Sequence, residues 1–384
     1  MRAREAGLHW IDATMSGRDL TVDHKRHGSK TGVLRDFIPF FNSAIQGNDK
    51  MVREFKKNPG RTAWKFFLMV TLPTVALYLI NRNNEHFHEL PEWRRDLFWN
   101  IPVGDPRTTD LFIPVPRPFM PGLIFGAMPE RFMTYVDRKD PGSFDNIAGT
   151  LWQGAGPNTT IWPIELAYEW KANMNFYTGT PIVPRREEYL PPEQQYGPHT
   201  SELAKILGGV AGASPRKIDH GLQKVTGLLG KPAIRGLDSS LRGVGIAEDR
   251  VRPEPEITDL PVIGDFFTKV RASGSSTIDV FYEDLNQAEV LYNKEGILTR
   301  KEQAYVDVLP YMRMVRDDLA EIRRMERMVH NANTWGELEQ YIPQGKSPSA
   351  AISPKDKRLM VSYLQTAQMN TVRMAYGKEP LPLP

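Results

Sequence analysis

The chain has 384 residues, no cysteine, 31 prolines and a formal net charge of +3. The absence of cysteine excludes disulfides, thiolate-ligated zinc, iron–sulfur clusters and thiol catalysis. The proline content is well above the usual ~5% and argues against one continuous helical bundle.

The positive charge is concentrated at the start of the chain. Residues 1–65 contain 13 Lys and Arg against 7 Asp and Glu, whereas residues 66–384 contain 36 against 39. A segment with excess positive charge suits anionic lipid or nucleic acid, although a solvated surface has the same composition. The predicted basic contact residues are Lys50, Arg53, Lys56, Lys57, Arg61 and Lys65.

An aromatic cluster, RDFIPFFNSAIQG, lies within this basic segment at residues 35–47. Apolar clusters beside cations are typical of a membrane interface, but also of an ordinary packing face or a subunit contact. The cluster opens a predicted helix over residues 42–55, which Pro59 and Gly60 end. Its predicted membrane-contact residues are Phe37, Phe40 and Phe41.

An uncharged run, FFLMVTLPTVALYLI, occupies residues 66–80 and predicts an apolar helix over residues 63–81. That length is at the low end of the ~17–25 residues that span a membrane. Two interpretations stay open: the helix enters a membrane, with Lys56 to Lys65 on the cytoplasmic side, or it is buried in the core. The run begins too far from Met1 to predict a signal peptide. Its predicted membrane-contact residues are Trp64, Phe66, Phe67, Leu68, Leu72, Leu77, Tyr78 and Ile80.

Proline dominates the next segment, where residues 91–198 hold 16 of the 31 prolines. Proline lacks a backbone donor and disfavours helix at the preceding residue, so we predict extended loops with short strands. The sequence LFIPVPRPF has the character of a strand, and helices are predicted over residues 129–138 and 163–177. Residues 91–200 are therefore predicted to form an irregular, aromatic-rich region.

Residues 201–252 predict a pair of short helices followed by a linker. The helices cover residues 201–207 and 215–228, with Ser214 as N-cap and Pro215 at the first helical position. The pair fits a helix-turn-helix, but such pairs are common and DNA readout is the less favoured interpretation. Glycines and polar residues predict a loop over residues 227–252.

Residues 253–384 predict a C-terminal helical domain. A helix from Thr277, broken at Gly296, is followed by a second helix that Thr299 caps and Pro310 bends, and together they predict an antiparallel hairpin. A last helix is predicted over residues 353–376. The second helix has an apolar stripe at spacings of three and four, which predicts self-association. The predicted oligomer contacts are Val306, Leu309, Met312, Leu319, Ile322 and Met325.

No motif predicts catalysis. There is no Walker A sequence, HExxH motif or nucleophile elbow. The sequence EHFHEL places His86, His88 and Glu89 together, but the two-residue spacing suits a strand or loop, and surface histidines are the simpler interpretation. We therefore predict no metal, no cofactor, no small-molecule substrate and no enzymatic activity.

Several segments in order resemble a known family: GRDLTVDHKRHGSK, RDFIPFFNSAIQG, LPEWRRDLFWNIPV, IPVPRPFMPGLIFGAMPERF and SPRKIDHGLQKVTGLLG. Together they resemble a large polyvalent protein-associated domain of giant phage and mobile-element proteins, over roughly residues 17–230. Such giant proteins often resemble internal virion proteins, which are packaged in the capsid and ejected with the DNA. The resemblance implies no catalytic residues.

The expected fold is mainly α, with a basic N-terminal segment over residues 1–90, the irregular middle, the helix pair and the C-terminal helical domain. The expected function is that of a non-enzymatic phage virion protein, structural or ejected, that contacts the cell envelope during DNA delivery. Expected partners are other virion proteins, a second copy, the bacterial membrane and DNA, and the expected location is the virion and, after ejection, the host envelope. A soluble scaffold with a buried apolar helix and an enzyme without a recognisable motif are the alternatives.

Overall fold

The computed structural model describes residues 41–139, 141–144, 162–176, 180–184, 187–188, 190–197, 200–226, 230–243, 251, 253–260, 263–294, 298–339 and 347–384. The protein is mainly α, with few and short strands, an apolar helix and a helical C-terminal region, as predicted. The described residues divide into two compact units that alternate along the chain. The first unit lies within residues 41–79, 96–99 and 116–172, and the second within residues 80–95, 100–115 and 173–384.

The described part of the first unit contains four main helices. Helix α1 (Phe41–Lys57) covers the helix predicted at residues 42–55 and ends just before Pro59. Helix α2 (Pro59–Asn81) is the predicted apolar helix, and its last two residues lie in the second unit. The other two are α5 (residues 119–138) and α6 (Trp162–Ala172). The labels α3 and α4 belong to two short helices that lie between α2 and α5 in the chain. Helix α6 is shorter than the predicted helix at residues 163–177, because Asn173 takes a positive φ of 51°.

Between α2 and α5 lie two short helices and two strands. They are α3 (Glu85–Glu89), α4 (Glu92–Leu97), β1 (Phe98–Pro102) and β2 (Leu111–Pro116). The strand β2 is the segment that the sequence LFIPVPRPF predicts. A three-stranded sheet forms in the order β1-β2-β5, where β5 (Thr268–Lys269) pairs antiparallel with β2. In this register Phe112 faces Thr268, and the Phe112 side chain is fully buried.

The second unit continues with a β-ribbon and three helices. Strands β3 (Met174–Asn175) and β4 (Thr180–Pro181) pair antiparallel. Helices α7 (Glu202–Ala211) and α8 (Pro215–Thr226) form the predicted pair. Helix α9 (Gly230–Gly243) packs on both of them, so the prediction of a loop over residues 227–252 is wrong for this stretch. The reason is that Ile234 and Asp238 are buried on one side of the helix, and Asp238 accepts a hydrogen bond from the backbone N–H of Leu203, contacts that outweigh three glycines.

Three long helices form the core of the C-terminal region. They are α10 (Ser276–Tyr292), α11 (Arg300–Asn331) and α12 (Pro354–Ala375), which pack on one another and match the predicted helices. Side-chain oxygens of Ser275, Thr299 and Ser353 accept hydrogen bonds from the first turns and cap their N-termini. Pro310 lies inside α11, and the bend predicted there stays a prediction. The four-part division of the chain also stays a prediction.

Candidate membrane-contact surface

The outward face of α2 is apolar. Met69 is 73% exposed and Trp64 60% exposed, although the exposure of their apolar surface to water is unfavourable. Of the most apolar 18-residue window of the helix, only 17% is buried. Wide exposure of a contiguous apolar face marks a surface made for a non-aqueous partner. The exposed large apolar side chains are Trp64, Phe67, Leu68, Met69, Leu72, Leu79 and Ile80.

The inward face of α2 is mostly polar. Thr62, Thr74, Tyr78 and Asn81 are buried, with Val70 as the apolar member of the same stripe. The Tyr78 hydroxyl donates to Asp137, and the indole N–H of Trp99 donates to Oγ1 of Thr74 at 2.8 Å. A water-soluble helix shows the reverse arrangement, with its apolar stripe inside. Polar residues that bond between helices while apolar residues face outward are typical of helices in lipid.

The length of α2 also suits a membrane. In the described part of the chain, Pro59–Asn81 is one helix that is long and apolar enough to cross a bilayer. Its 23 residues extend about 34 Å at the α-helical rise, against a hydrocarbon thickness of about 30 Å. Pro59 begins the helix at a position where a missing N–H costs nothing.

Two prolines shape the contact between α2 and α5. Pro73 of α2 and Pro129 of α5 cannot donate to the carbonyl oxygens four residues earlier, and each follows a π-turn, at Phe67–Thr71 and Leu123–Ala127. The carbonyl oxygen of Phe125, four residues before Pro129, accepts a bond from the Thr71 hydroxyl at 2.7 Å. Thr71 of one π-turn therefore bonds to the Phe125 carbonyl of the other. The N–H that an α-helix would supply to that carbonyl is missing, because the residue four positions later is Pro129.

A small residue lets α2 and α5 approach closely. A Cβ atom on Gly126 would lie 3.3 Å from Oγ1 of Thr74 and 3.4 Å from Cγ1 of Val70. The rings of Phe55, Phe66 and Phe125 stack with centroids 5.1 to 5.9 Å apart and hold α1 to the same pair of helices. Close packing at small residues is the usual way in which helices associate in membranes.

Helix α5 repeats the inverted pattern of α2. Its inward face includes the buried side chains of Glu130, Arg131 and Thr134. Its outward face carries Phe132, which is 58% exposed, with Tyr135 and Val136 also exposed. Helix α6 shows the same arrangement, because Glu165 and Glu169 are buried and Tyr168 is exposed.

The charged groups inside the first unit are paired. Arg131 binds Asp96 through two bonds, from Nε at 2.9 Å and from Nη2 at 2.6 Å, and donates a third to the carbonyl of Ser143 at 3.0 Å. Arg117 pairs with Glu130. Buried charges persist in a protein only when they are paired and hydrogen-bonded. The described interior of this unit therefore contains buried ion pairs beside apolar residues such as Val70, Leu123 and Ala127.

The predicted membrane-contact residues of α2 fall on both faces. Trp64, Phe67, Leu68, Leu72 and Ile80 are exposed, Phe66 and Leu77 are half-buried, and Tyr78 is buried. Phe37, Phe40 and the side chain of Phe41 lie outside the described residues. The sequence analysis missed Met69 and Leu79 on α2, and Phe132, Tyr135 and Val136 on α5. The signal in α5 was available as apolar positions spaced at three and four, opposite a charged pair.

The predicted basic residues lie at the start of this surface. Lys56, Lys57, Arg61 and Lys65 are exposed, whereas Arg53 forms an ion pair with Asp49 at 3.0 Å. Lys56 and Lys57 occupy the last turn of α1, where cations complement the helix dipole.

The predicted oligomer contacts take part in packing within the chain. Leu309, Met312 and Leu319 are buried, and Ile322 and Met325 pack against a cluster formed around Trp335 and Val361. Val306 is half-buried. Self-association stays a prediction, and the exposed apolar residues of α11 are instead Val308, Tyr311 and Met314.

The histidine cluster lies on a helix, so the expectation of a strand or loop with surface histidines is wrong. Residues 85–89 form α3 because Oδ1 of Asn84 accepts bonds from the backbone N–H groups of His86 and Phe87. His86 is buried, and burial lowers the pKa of its imidazole. Glu89 is buried against Arg373, Ser275 and Thr277. Among the described residues, no group of three acidic or histidine side chains is arranged to hold a metal ion.

These features define a mainly α protein whose first unit turns apolar helix faces outward and buries ion pairs in its interior. Residues 84–263, just under half of the chain, match the family model of large polyvalent protein associated domain 38. The predicted family resemblance is confirmed, and the domain indicates a phage or mobile-element protein. The resemblance to internal virion proteins is not confirmed. No curated protein and no solved structure matches the chain.

Proposed function

We propose that this protein is a membrane-contacting, virion-associated protein of a phage, acting at the host envelope during DNA delivery. The observation that supports it best is the inverted pattern of α2, whose polar side chains are buried and whose apolar side chains are exposed. In water such a helix forgoes about 25 cal/mol of favourable burial free energy for each Å² of apolar area that stays exposed. A lipid phase removes that cost, because the outward residues then meet hydrocarbon.

The membrane part of this proposal is tested by vesicle flotation of the full chain. Met69→Glu combined with Leu72→Glu places two charges on the exposed apolar face, where neither side chain is buried. A charge in the bilayer centre costs about 2.5–3.5 kcal/mol, so this variant is expected to lose flotation with phosphatidylcholine vesicles.

The matched control is Val210→Glu combined with Met374→Glu, two equally exposed apolar positions of the second unit. The control is expected to float like the wild type. Equal flotation of all three proteins contradicts membrane contact through α2. Wild-type protein that is monodisperse without detergent and does not float shows instead that a second copy or a partner covers the face.

The virion part of the proposal is supported by the match to the polyvalent protein domain together with the exposed apolar face of α2. It is tested by mass spectrometry of purified phage particles from the source of the gene. Stoichiometric peptides from protease-protected particles are the expected result. Peptides found only in the infected-cell membrane fraction contradict a virion role and leave the membrane role intact.

A further inference from the structure

An apolar groove of about 410 Å³ opens in the first unit between α1 and α5. It is lined by Met51, Val52 and Phe55 of α1 and by Ile124 and Phe125 of α5, with Lys56 as the charged lining residue. The volume is within the ~300–1,000 Å³ of sites that hold small molecules. An apolar channel with a cation at its side matches an acyl chain attached to an anionic group.

The groove is held by rigid contacts. The ring of Phe55 stacks on Phe125 at 5.9 Å and on Phe66 at 5.7 Å, so α1 cannot turn without breaking both pairs. The π-turn Leu123–Ala127 supplies Ile124 and Phe125, and the Thr71 hydroxyl fixes it through the Phe125 carbonyl. The apolar lining is thus set by the same elements that form the outward surface.

Four exposed cations lie where α1 ends and α2 begins. Lys56, Lys57, Arg61 and Lys65 have no acidic partner within ion-pair distance among the residues that the structure describes, unlike Arg53. Unneutralised cations at the start of an apolar helix meet the headgroup layer when that helix enters a membrane. Nucleic acid would use the cations but not the apolar groove, so the combination favours lipid.

We propose that the groove binds one acyl chain of an anionic phospholipid, with Lys56 contacting its phosphate and Lys57, Arg61 and Lys65 completing the positive surface. This inference rests on the proposed membrane contact and adds the class of lipid. It makes the protein selective for membranes with anionic phospholipid.

Selectivity is tested by flotation of the full chain with two kinds of vesicle, phosphatidylcholine alone and an equimolar mixture with phosphatidylglycerol. The wild type is expected to bind the mixed vesicles more tightly, by on the order of 10-fold or more. The variant with Lys56, Lys57, Arg61 and Lys65 all changed to glutamine is expected to lose this preference and to keep its binding to the neutral vesicles.

The matched control changes Arg82, Lys171, Lys301 and Lys355 to glutamine, which removes the same total charge from other exposed positions. It is expected to keep the preference. Equal loss in both variants shows an effect of net charge and overturns the site. Wild-type binding without any preference overturns the lipid class alone, whereas no binding to either vesicle overturns the proposed function as well.

The groove itself is tested by native mass spectrometry of the protein released from phosphatidylglycerol micelles. Val52→Trp fills the groove from a half-exposed helix position and is expected to abolish the retained phospholipid, whereas Val210→Trp is expected to retain it. Retention by both variants overturns the groove. Duplex DNA binding that the four-residue glutamine variant abolishes, with lipid selectivity unchanged, overturns the proposal in favour of nucleic acid.

Discussion

At the residue scale, buried charges are the most constrained groups in the protein. Arg373 and Glu89 are each 1% exposed and bind one another, while Arg373 also pairs with Glu85 at 2.6 Å. Hydroxyl groups of Ser275 and Thr277 donate to the same Glu89 carboxylate. These bonds join α3 to the N-terminus of α10 and to α12, so the Glu89 carboxylate connects three segments that are distant in sequence.

Arg373→Met should therefore destabilise the second unit. It leaves the Glu89 carboxylate buried without its cation, which costs about 3–5 kcal/mol when one partner of a buried pair is removed. The measurement is the free energy of unfolding in urea, followed by circular dichroism. As a control, Arg316→Met breaks the exposed pair with Asp317 and is expected to cost about 1 kcal/mol or less. Similar effects of the two changes would contradict the role of the buried network.

His330 makes the second unit sensitive to mild acid. Burial, with the nearby charges of Lys357 and Arg358, lowers the pKa of His330 to about 4. As the pH falls, His330 therefore binds a proton near pH 6.5 in the unfolded state but only near pH 4 in the folded state. The stability that the neutral, buried His330 provides is present above pH 6.5 and is lost as the pH falls towards 4.

Between pH 7 and pH 5 this effect amounts to about 2 kcal/mol or less. His330→Gln is expected to show a smaller drop in melting temperature over that interval than the wild type. Asp259, whose pKa is lowered to about 2 against the opposing effect of burial, changes stability only at lower pH and does not interfere. An identical drop in both proteins would refute the assignment to His330.

At the scale of elements, α2 and α5 are joined by two π-turns and a glycine. Gly126 faces Val70 and Thr74 so closely that an added Cβ would lie 3.3–3.4 Å from their side chains, which is tighter than usual. The Thr71 to Phe125 bond lies beside this contact. The contact therefore combines a small residue, a side-chain hydrogen bond and the stacking of Phe66 on Phe125.

Gly126→Leu should separate α2 from α5. The added side chain meets Thr74 and Val70, and overpacking of this kind costs about 1–3 kcal/mol. Gly209→Leu is the control, because Gly209 lies in α7 with nothing within 4 Å of an added Cβ, so the change is expected to be neutral or stabilising. Melting temperatures compare the two. A stable Gly126→Leu protein would contradict the close approach.

The outward face of α5 should contribute to membrane contact alongside α2. Phe132→Glu combined with Val136→Glu introduces charges at two exposed positions, and weaker flotation with phosphatidylcholine vesicles is expected. The control is Val280→Glu combined with Val290→Glu on α10, where both side chains are also exposed. Flotation unchanged by the α5 variant would limit the contact to α2.

At the scale of the whole molecule, the two units are compared by the side chains that each buries and exposes. The second unit buries apolar side chains around α10, α11 and α12, with Phe281, Leu319 and Val372 almost fully enclosed. The first unit buries the Arg117–Glu130 and Arg131–Asp96 pairs and exposes the apolar face of α2. Both units therefore bury ion pairs, and the first also carries the long exposed apolar face of α2.

Purified full-length protein should associate in detergent-free buffer in a manner that depends on concentration. The exposed apolar faces of α2 and α5 meet each other when no lipid is present, because this removes apolar area from water. Size-exclusion chromatography with light scattering gives the mass. Met69→Glu combined with Leu72→Glu is expected to shift the protein to monomer, and an unchanged mass would place the association elsewhere.

The sequence by itself determined the mainly α class, the apolar helix, the C-terminal helices and the family resemblance. These follow from local signals such as an uncharged run, apolar spacing at three and four, and capping residues such as Ser275, Thr299 and Ser353. It misjudged α3 and α9, because an Asn84 cap immediately before EHFHEL and the tertiary packing of a glycine-containing stretch outweigh local propensity.

Only the tertiary structure decided which side of each helix faces inward. Residue type alone would place Glu130 and Arg131 on the solvent side of their helix, because charged groups ordinarily prefer water, and Tyr78 was predicted to contact the membrane. Their burial follows from bonds to groups far along the chain, such as the pairs Arg131 with Asp96 and Tyr78 with Asp137. Such pairs exist only once the helices have packed, and the inverted surface that supports the proposed function exists for the same reason.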